Sequence, residues 1–242
     1  HVREKAIEIL PPDVNESEQD FWVVDGAIRF GFAGIKNVGA GAIESILEAR
    51  AEDGPFESLF DFADRVDGKK VNRRVVEALV KCGAFDSLHP ARASVWASID
   101  TALERAAAAQ RDRAVGQESL FGGMSDSEGI DAPKLVDASD WGERERLGHE
   151  KALLGFYVTG HPLAEVAPLL SRFTDTTALA TEGKAGREIR AGGLLTGLRE
   201  TRTKRGARMG FGQLEDLEGG FELVIFSEPF EQHVELLRIA KD

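Results

Sequence analysis

Residues 122–140 run through Gly, Ser, Asp and Pro, from Gly122-Gly123-Met124-Ser125-Asp126-Ser127-Glu128 past Pro133 to Ser139-Asp140. Such a stretch buries too little apolar area to offset the entropy of ordering it, and it reads as a flexible linker. No single core is then expected to run through all 242 residues. The hydrophobic period also differs on the two sides, helical before the linker and alternating beyond about Glu188, so the expected fold is multidomain α+β.

Before the linker, residues 1–33 look extended, with Asp25-Gly26 between Trp22-Val23-Val24 and Ile28-Arg29-Phe30 as a hairpin signal. Residues 34–116 look helical. Ile43, Ile46 and Leu47 make one apolar face, and Leu59, Phe62, Ala63 and Val66 make a second behind a Ser58 cap. Val75, Val76, Leu79 and Val80 make a third, from an Asn72 cap to Gly83. Residues 91–114 read as one long Ala-rich helix. After the linker, helices over about 143–154 and 164–170 lead to strands over 189–198, 209–214 and 221–226, the spacing of a small antiparallel barrel.

The chain opens on His1 and closes on Lys241-Asp242 after an apolar helical run, and it is read as a piece of a longer protein. A single Cys82 excludes an internal disulfide framework, and with no signal peptide or bilayer-spanning apolar run the expected setting is cytoplasmic, with no membrane partner. A net charge of −12 speaks against a surface that coats nucleic acid throughout. Basic residues nevertheless concentrate at Lys69, Lys70, Arg73 and Arg74, and again between Arg187 and Arg208.

The first concentration accompanies Lys36-Asn37-Val38-Gly39-Ala40-Gly41. Two glycines around one small residue let the backbone turn sharply and present N–H groups at a helix N-terminus, where an anion is favoured; a plain tight turn fits the pair as well. The segment resembles a helix-hairpin-helix motif, and the helix after Asn72 looks like part of a second, poorer copy. In the second concentration Arg202, Lys204, Arg205 and Arg208 border Phe211, a candidate stacking platform for single-stranded DNA whose face the alternation with Met209 and Gln213 leaves open. Gln117-Glu118-Ser119-Leu120-Phe121 offers a polar anchor and an apolar plug, fit either for another protein's pocket or for folding back on its own core.

Other residues read more plainly. Trp96 is expected in the core, Cys82 as a small buried thiol, and His161 as a residue that satisfies local backbone groups; the five histidines show no ligand spacing, and no metal site is expected.

Phe30-Gly31-Phe32-Ala33-Gly34-Ile35-Lys36-Asn37-Val38-Gly39, Gly54-Pro55-Phe56-Glu57-Ser58-Leu59-Phe60-Asp61-Phe62, Lys70-Val71-Asn72-Arg73-Arg74-Val75-Val76-Glu77-Ala78-Leu79, Gly83-Ala84-Phe85-Asp86 and Leu154-Gly155-Phe156-Tyr157-Val158-Thr159-Gly160-His161-Pro162-Leu163 follow one another along the chain, after Leu10-Pro11-Pro12-Asp13-Val14-Asn15. In this order they resemble successive signatures of the alpha-subunit family of bacterial DNA polymerase III. The resemblance implies that residues 1–33 end the fingers, and that 34–121 form a tandem helix-hairpin-helix domain gripping duplex DNA by its phosphates through Lys36, Val38, Gly39, Ala40, Gly41, Lys69, Lys70, Arg73 and Arg74. It also implies that Gln117, Leu120 and Phe121 dock on the sliding clamp, that 122–140 are linker and 141–187 a helical connector, and that 188–242 open an oligonucleotide-binding (OB) barrel without its last strands. Other replicase subunits are implied partners of the parent.

The family's polymerising step needs palm carboxylates that hold Mg2+, and no Asp-x-Asp pair in a strand context occurs here. The chain contributes no catalytic residue in this reading and is expected to be inactive alone. Two alternatives remain open: the error-prone paralogue of the same subunit, and a non-catalytic repair adaptor that combines helix-hairpin-helix and OB modules.

Overall fold

In the computed structural model, which describes residues 7–114, 133–178 and 186–241, the chain enters with Ile9–Leu10 (β1) and then folds Trp22–Val24 (β2) back on Ala27–Arg29 (β3). Asp25 and Gly26 both take positive φ, 50° and 85°, as the tight hairpin requires. β3 lies between the other two, parallel to β1 and antiparallel to β2.

A 3-10 turn over Phe32–Gly34 leads to Ala40–Asp53 (α1), Leu59–Arg65 (α2) and Arg73–Lys81 (α3). The caps read from sequence are present: Ser58 accepts from the Asp61 N–H, and Asn72 from the N–H groups of Arg74 and Val75. α3 is amphipathic, burying Val75, Val76, Leu79 and Val80 while Arg73 and Arg74 stay exposed. Phe56, Phe62 and Phe85 lock the centre by edge-to-face contacts at 4.9 and 5.1 Å. Full burial of each ring is worth about 1.5–3 kcal/mol.

The single helix expected over 91–114 is two, Arg92–Ala97 (α4) and Ile99–Ala114 (α5). Ser98 breaks it. Its hydroxyl donates to the Ser94 carbonyl (2.8 Å) and accepts the Val136 N–H (2.8 Å), and the hydroxyl's competition for an i−4 carbonyl favours a bend. The end of the expected linker is thereby seated on α4, where Ser94 Oγ also accepts the Ala138 N–H and Asp140 Oδ1 the Ala93 N–H, both at 3.3 Å. Glu143–Leu154 (α6) follows within the expected bounds, and its Leu153 and Leu154 join the core that contains Val14, Phe30 and Phe32. Residues 1–160 thus make one compact unit, which takes in the expected fingers end, the hairpin region and α6.

Residues 161–242 make the other. A short helix, Ala167–Leu170 (α7), precedes Leu194–Arg202 (β4), Arg208–Glu215 (β5) and Gly220–Ile225 (β6), an antiparallel sheet in the order β4-β5-β6. The first strand starts later than 189 because Arg190 is engaged elsewhere: its N–H donates to Asp175 Oδ1 (2.9 Å) and its carbonyl accepts the Asp175 N–H (3.0 Å). Ser227–Lys241 (α8) covers one face through the fully buried Phe230, which passes so close to Gly210 that a side chain there would meet the ring. The described strands form an open sheet, and no closed barrel is found among the described residues.

Candidate nucleic-acid interface

The first hairpin is built by residues 35–39 between the 3-10 turn and α1. Asn37 turns the chain at φ 72°, in the left-handed region that Asn tolerates better than most residues, and Val38 plugs into the core. No side chain caps α1. The first helical bonds run from the N–H groups of Ala42 and Ile43 to the Gly39 carbonyl, so the N–H groups of Ala40 and Gly41 point out of an open helix end. A Cβ added at Gly39 meets nothing within 4 Å. Space inside the protein therefore does not require that glycine, whereas close approach of something from outside would.

The second hairpin, between α2 and α3, lies against the first. Ser45 Oγ accepts the Asp67 N–H (2.8 Å), and the Arg74 guanidinium donates to Asn37 Oδ1 (2.8 Å). Here the helix end is closed by Asn72, so this copy offers side chains in place of open N–H groups. Lys36 and Lys69 are exposed and carry no ion pair among the described residues. Lys70 lies across the first turn of α1, 3.8 Å from where a Gly41 Cβ would sit, and its ammonium pairs with Glu44 (3.0 Å), whose hydrogen bond and charge raise the lysine above its ordinary pKa. Arg73 is turned to Asp100 (2.6 Å) and to Glu77, and its hydrogen bond holds the Asp100 carboxyl below the usual range. Lys70 and Arg74 thus reach the first hairpin, at Gly41 and Asn37, while Lys70 and Arg73 already hold carboxylates of their own chain.

In the second unit the sheet register separates residues that sequence grouped. Phe211 stands opposite Arg199 on β4 and Val224 on β6, on the face away from Phe230, with the Arg199 guanidinium 5.1 Å from its ring. A shallow groove of about 370 Å³ is lined there by Gly197, Arg199, Phe211, Gln213 and Glu222. Arg202, Lys204 and Arg205 are exposed at the β4–β5 turn. Arg208 is on the other face, over Phe230 and paired with Glu200 (3.0 Å), and so does not share a surface with Phe211. Arg199 was missed as a site residue, since only the register shows what it faces.

Gln117, Leu120 and Phe121 lie outside the described residues. Trp96 is not in the core: it is 36% exposed, edge-on to Trp141 at 6.4 Å, with Lys81 Nζ 5.9 Å from its ring. Cys82 is fully buried, and burial pushes its thiol up to about 12. His161 Nδ1 accepts the Leu163 N–H (3.1 Å). No helix of the described residues is long and apolar enough to cross a membrane.

A helix-hairpin-helix motif family matches residues 6–95. Over 96% of its length the chain is 39% identical to the DNA polymerase III subunit alpha of Vibrio cholerae and 37% identical to that of Escherichia coli K12. The Neisseria meningitidis serogroup B subunit is 38% identical over 98% of the chain. In each case the match covers 20% of the relative, so the chain spans about a fifth of the length of these proteins.

Proposed function

The chain belongs to the DNA polymerase III alpha-subunit family, and on that premise we propose that it is the stretch by which a DNA-directed DNA polymerase grips its template-primer. The observation that carries this is the uncapped α1 N-terminus, open at Gly39, Ala40 and Gly41, with Lys36 just ahead of it in the chain and Arg74 brought to it by its bond to Asn37. A backbone phosphate entering there accepts from N–H groups at the positive end of the helix while the cations neutralise it. No base edge is read in such a contact, so the grip is independent of sequence.

Around that grip the same reading assigns clamp docking to Gln117, Leu120 and Phe121, and template contact to Phe211 with Arg199, Arg202, Lys204 and Arg205. Mg2+ and the reacting carboxylates belong to the palm, elsewhere in the parent, in a cytoplasmic, nucleoid-associated replicase. Salt titration of duplex binding tests the central point. Gly39 has φ −88°, which any residue adopts, and free space around it, so Gly39→Val leaves the fold intact. The expected result is affinity that falls steeply with salt, weakened roughly tenfold by Gly39→Val, since one charge-assisted contact is worth about 1.5 kcal/mol. Salt-independent binding, or equal affinity of the variant, would show the hairpin to be a structural turn.

A further inference from the structure

We infer that Glu44 is an internal stand-in for a DNA phosphate: it holds the Lys70 ammonium while the protein is free and surrenders it to a backbone phosphate when duplex binds. The inference rests on the duplex-gripping reading and concerns how that same site is regulated.

The geometry has three parts. Lys70 reaches from the second hairpin across the first turn of α1 at Gly41, beside the open N–H groups where a phosphate would sit. Its ammonium is then taken by Glu44 Oε2 at 3.0 Å, with Glu48 and Asp67 adding weaker attraction. Both partners are largely exposed, at 40% and 59%, so the pair is screened by water and salt and opens easily. Carboxylate and phosphate are both oxyanions that accept from an ammonium group, and a rotation of the lysine side chain exchanges one for the other. Lys36 and Lys69 have no such partner among the described residues, and Arg74 bonds a neutral amide.

The exchange weakens the grip. When Lys70 moves to a phosphate, Glu44 is left unpaired near the DNA and must recruit a cation, which cancels the counterion that the lysine released. A grip tempered in this way suits a polymerase that must hold any sequence and still let it slide.

The test measures binding of a short mixed-sequence duplex to the full chain at several salt concentrations, for the parent, Glu44→Gln, Glu48→Gln, Lys70→Gln and the Glu44→Gln/Lys70→Gln pair. Glu44→Gln is expected to bind more tightly with a salt slope steeper by about 0.9, so its advantage shrinks roughly 3–4-fold between about 50 and 200 mM salt. Glu48→Gln, the same charge change one turn further along, is expected to gain less. In the Lys70→Gln background the Glu44 substitution is expected to gain only about as much as Glu48→Gln does, the part due to charge alone. Equal gains from Glu44→Gln and Glu48→Gln, or a Glu44 gain that is undiminished by loss of Lys70, would reduce Glu44 to a general negative charge and overturn the inference while leaving duplex binding intact. A parent chain that binds no duplex would instead sink the gripping function itself.

Discussion

Glu150 is wholly buried on α6, where a lone carboxylate would be strongly disfavoured, and four donors converge on it. Arg92 donates at 3.0 Å, Thr159 Oγ1 at 2.7 Å, and the N–H groups of Val158 and Thr159 at 3.2 and 3.1 Å. Arg92 is itself only 3% exposed and forks to Asp86, whose carboxyl burial pushes upward while the guanidinium pulls it down. Replacing Glu150 by Ala takes this acceptor from four donors and leaves Arg92 with Asp86 and the Lys81 carbonyl; the expected loss is about 3–5 kcal/mol in urea unfolding, with a smaller loss for Gln, which keeps an acceptor oxygen. A loss under about 1 kcal/mol for Ala would mean that water substitutes for the network. Nothing in Glu143-Arg144-Glu145-Arg146 and the residues after them marks Glu150 as the buried acid, because its donors come from α4 and from beyond Leu154. Gly39 was easier to find, since its signal is local.

Among the elements, those whose start and stop signals lie within a few residues were legible: the Asp25-Gly26 hairpin, α2 behind Ser58, α3 behind Asn72, and α6. Those set by distant partners were not. α4 and α5 separate because residues 136–140 bond back to Ser94 and Ser98, and β4 begins late because Asp175 holds Arg190. The candidate sheet site divided for the same reason, since pairing with β4 sends Phe211 and Arg208 to opposite faces. On the α8 side Glu200 ties the unit together, accepting from Arg238 at 2.9 Å and Arg208 at 3.0 Å. Those hydrogen bonds hold its carboxyl below the ordinary glutamate value. Because the folded pKa is depressed, the tie's full contribution is present above the unfolded value of about 4.3 and is lost as pH falls through the lower folded value. Calorimetric unfolding from neutral pH into acid is therefore expected to show the parent chain converging on Glu200→Gln in that window. Curves that stay parallel would mean the three side chains are only neighbours.

Across the whole molecule, the proposed attachments are individually weak: phosphates at α1, template at the β4–β5 turn, and the clamp at Gln117, Leu120 and Phe121. Burying one Leu and one Phe is worth roughly 1.5–3 kcal/mol each, and ordering a short peptide consumes part of that, so clamp affinity in solution is expected to be modest. Modest affinity suffices once polymerase and clamp share one DNA, because the second contact then forms at a high effective concentration. A polymerase held this way keeps its grip while each contact exchanges. Substituting Leu120 and Phe121 together by Ala is accordingly expected to reduce clamp binding at least about tenfold, the factor that ~1.4 kcal/mol corresponds to, measured by calorimetry with purified clamp. In the parent polymerase the same change should shorten products made with the clamp and leave clamp-free extension and the melting of the chain unaltered. If melting falls instead, Leu120 and Phe121 belong to the core; if clamp affinity is unchanged, the tether lies elsewhere in the parent, and the hairpin grip at Gly39 must supply persistence on DNA without it.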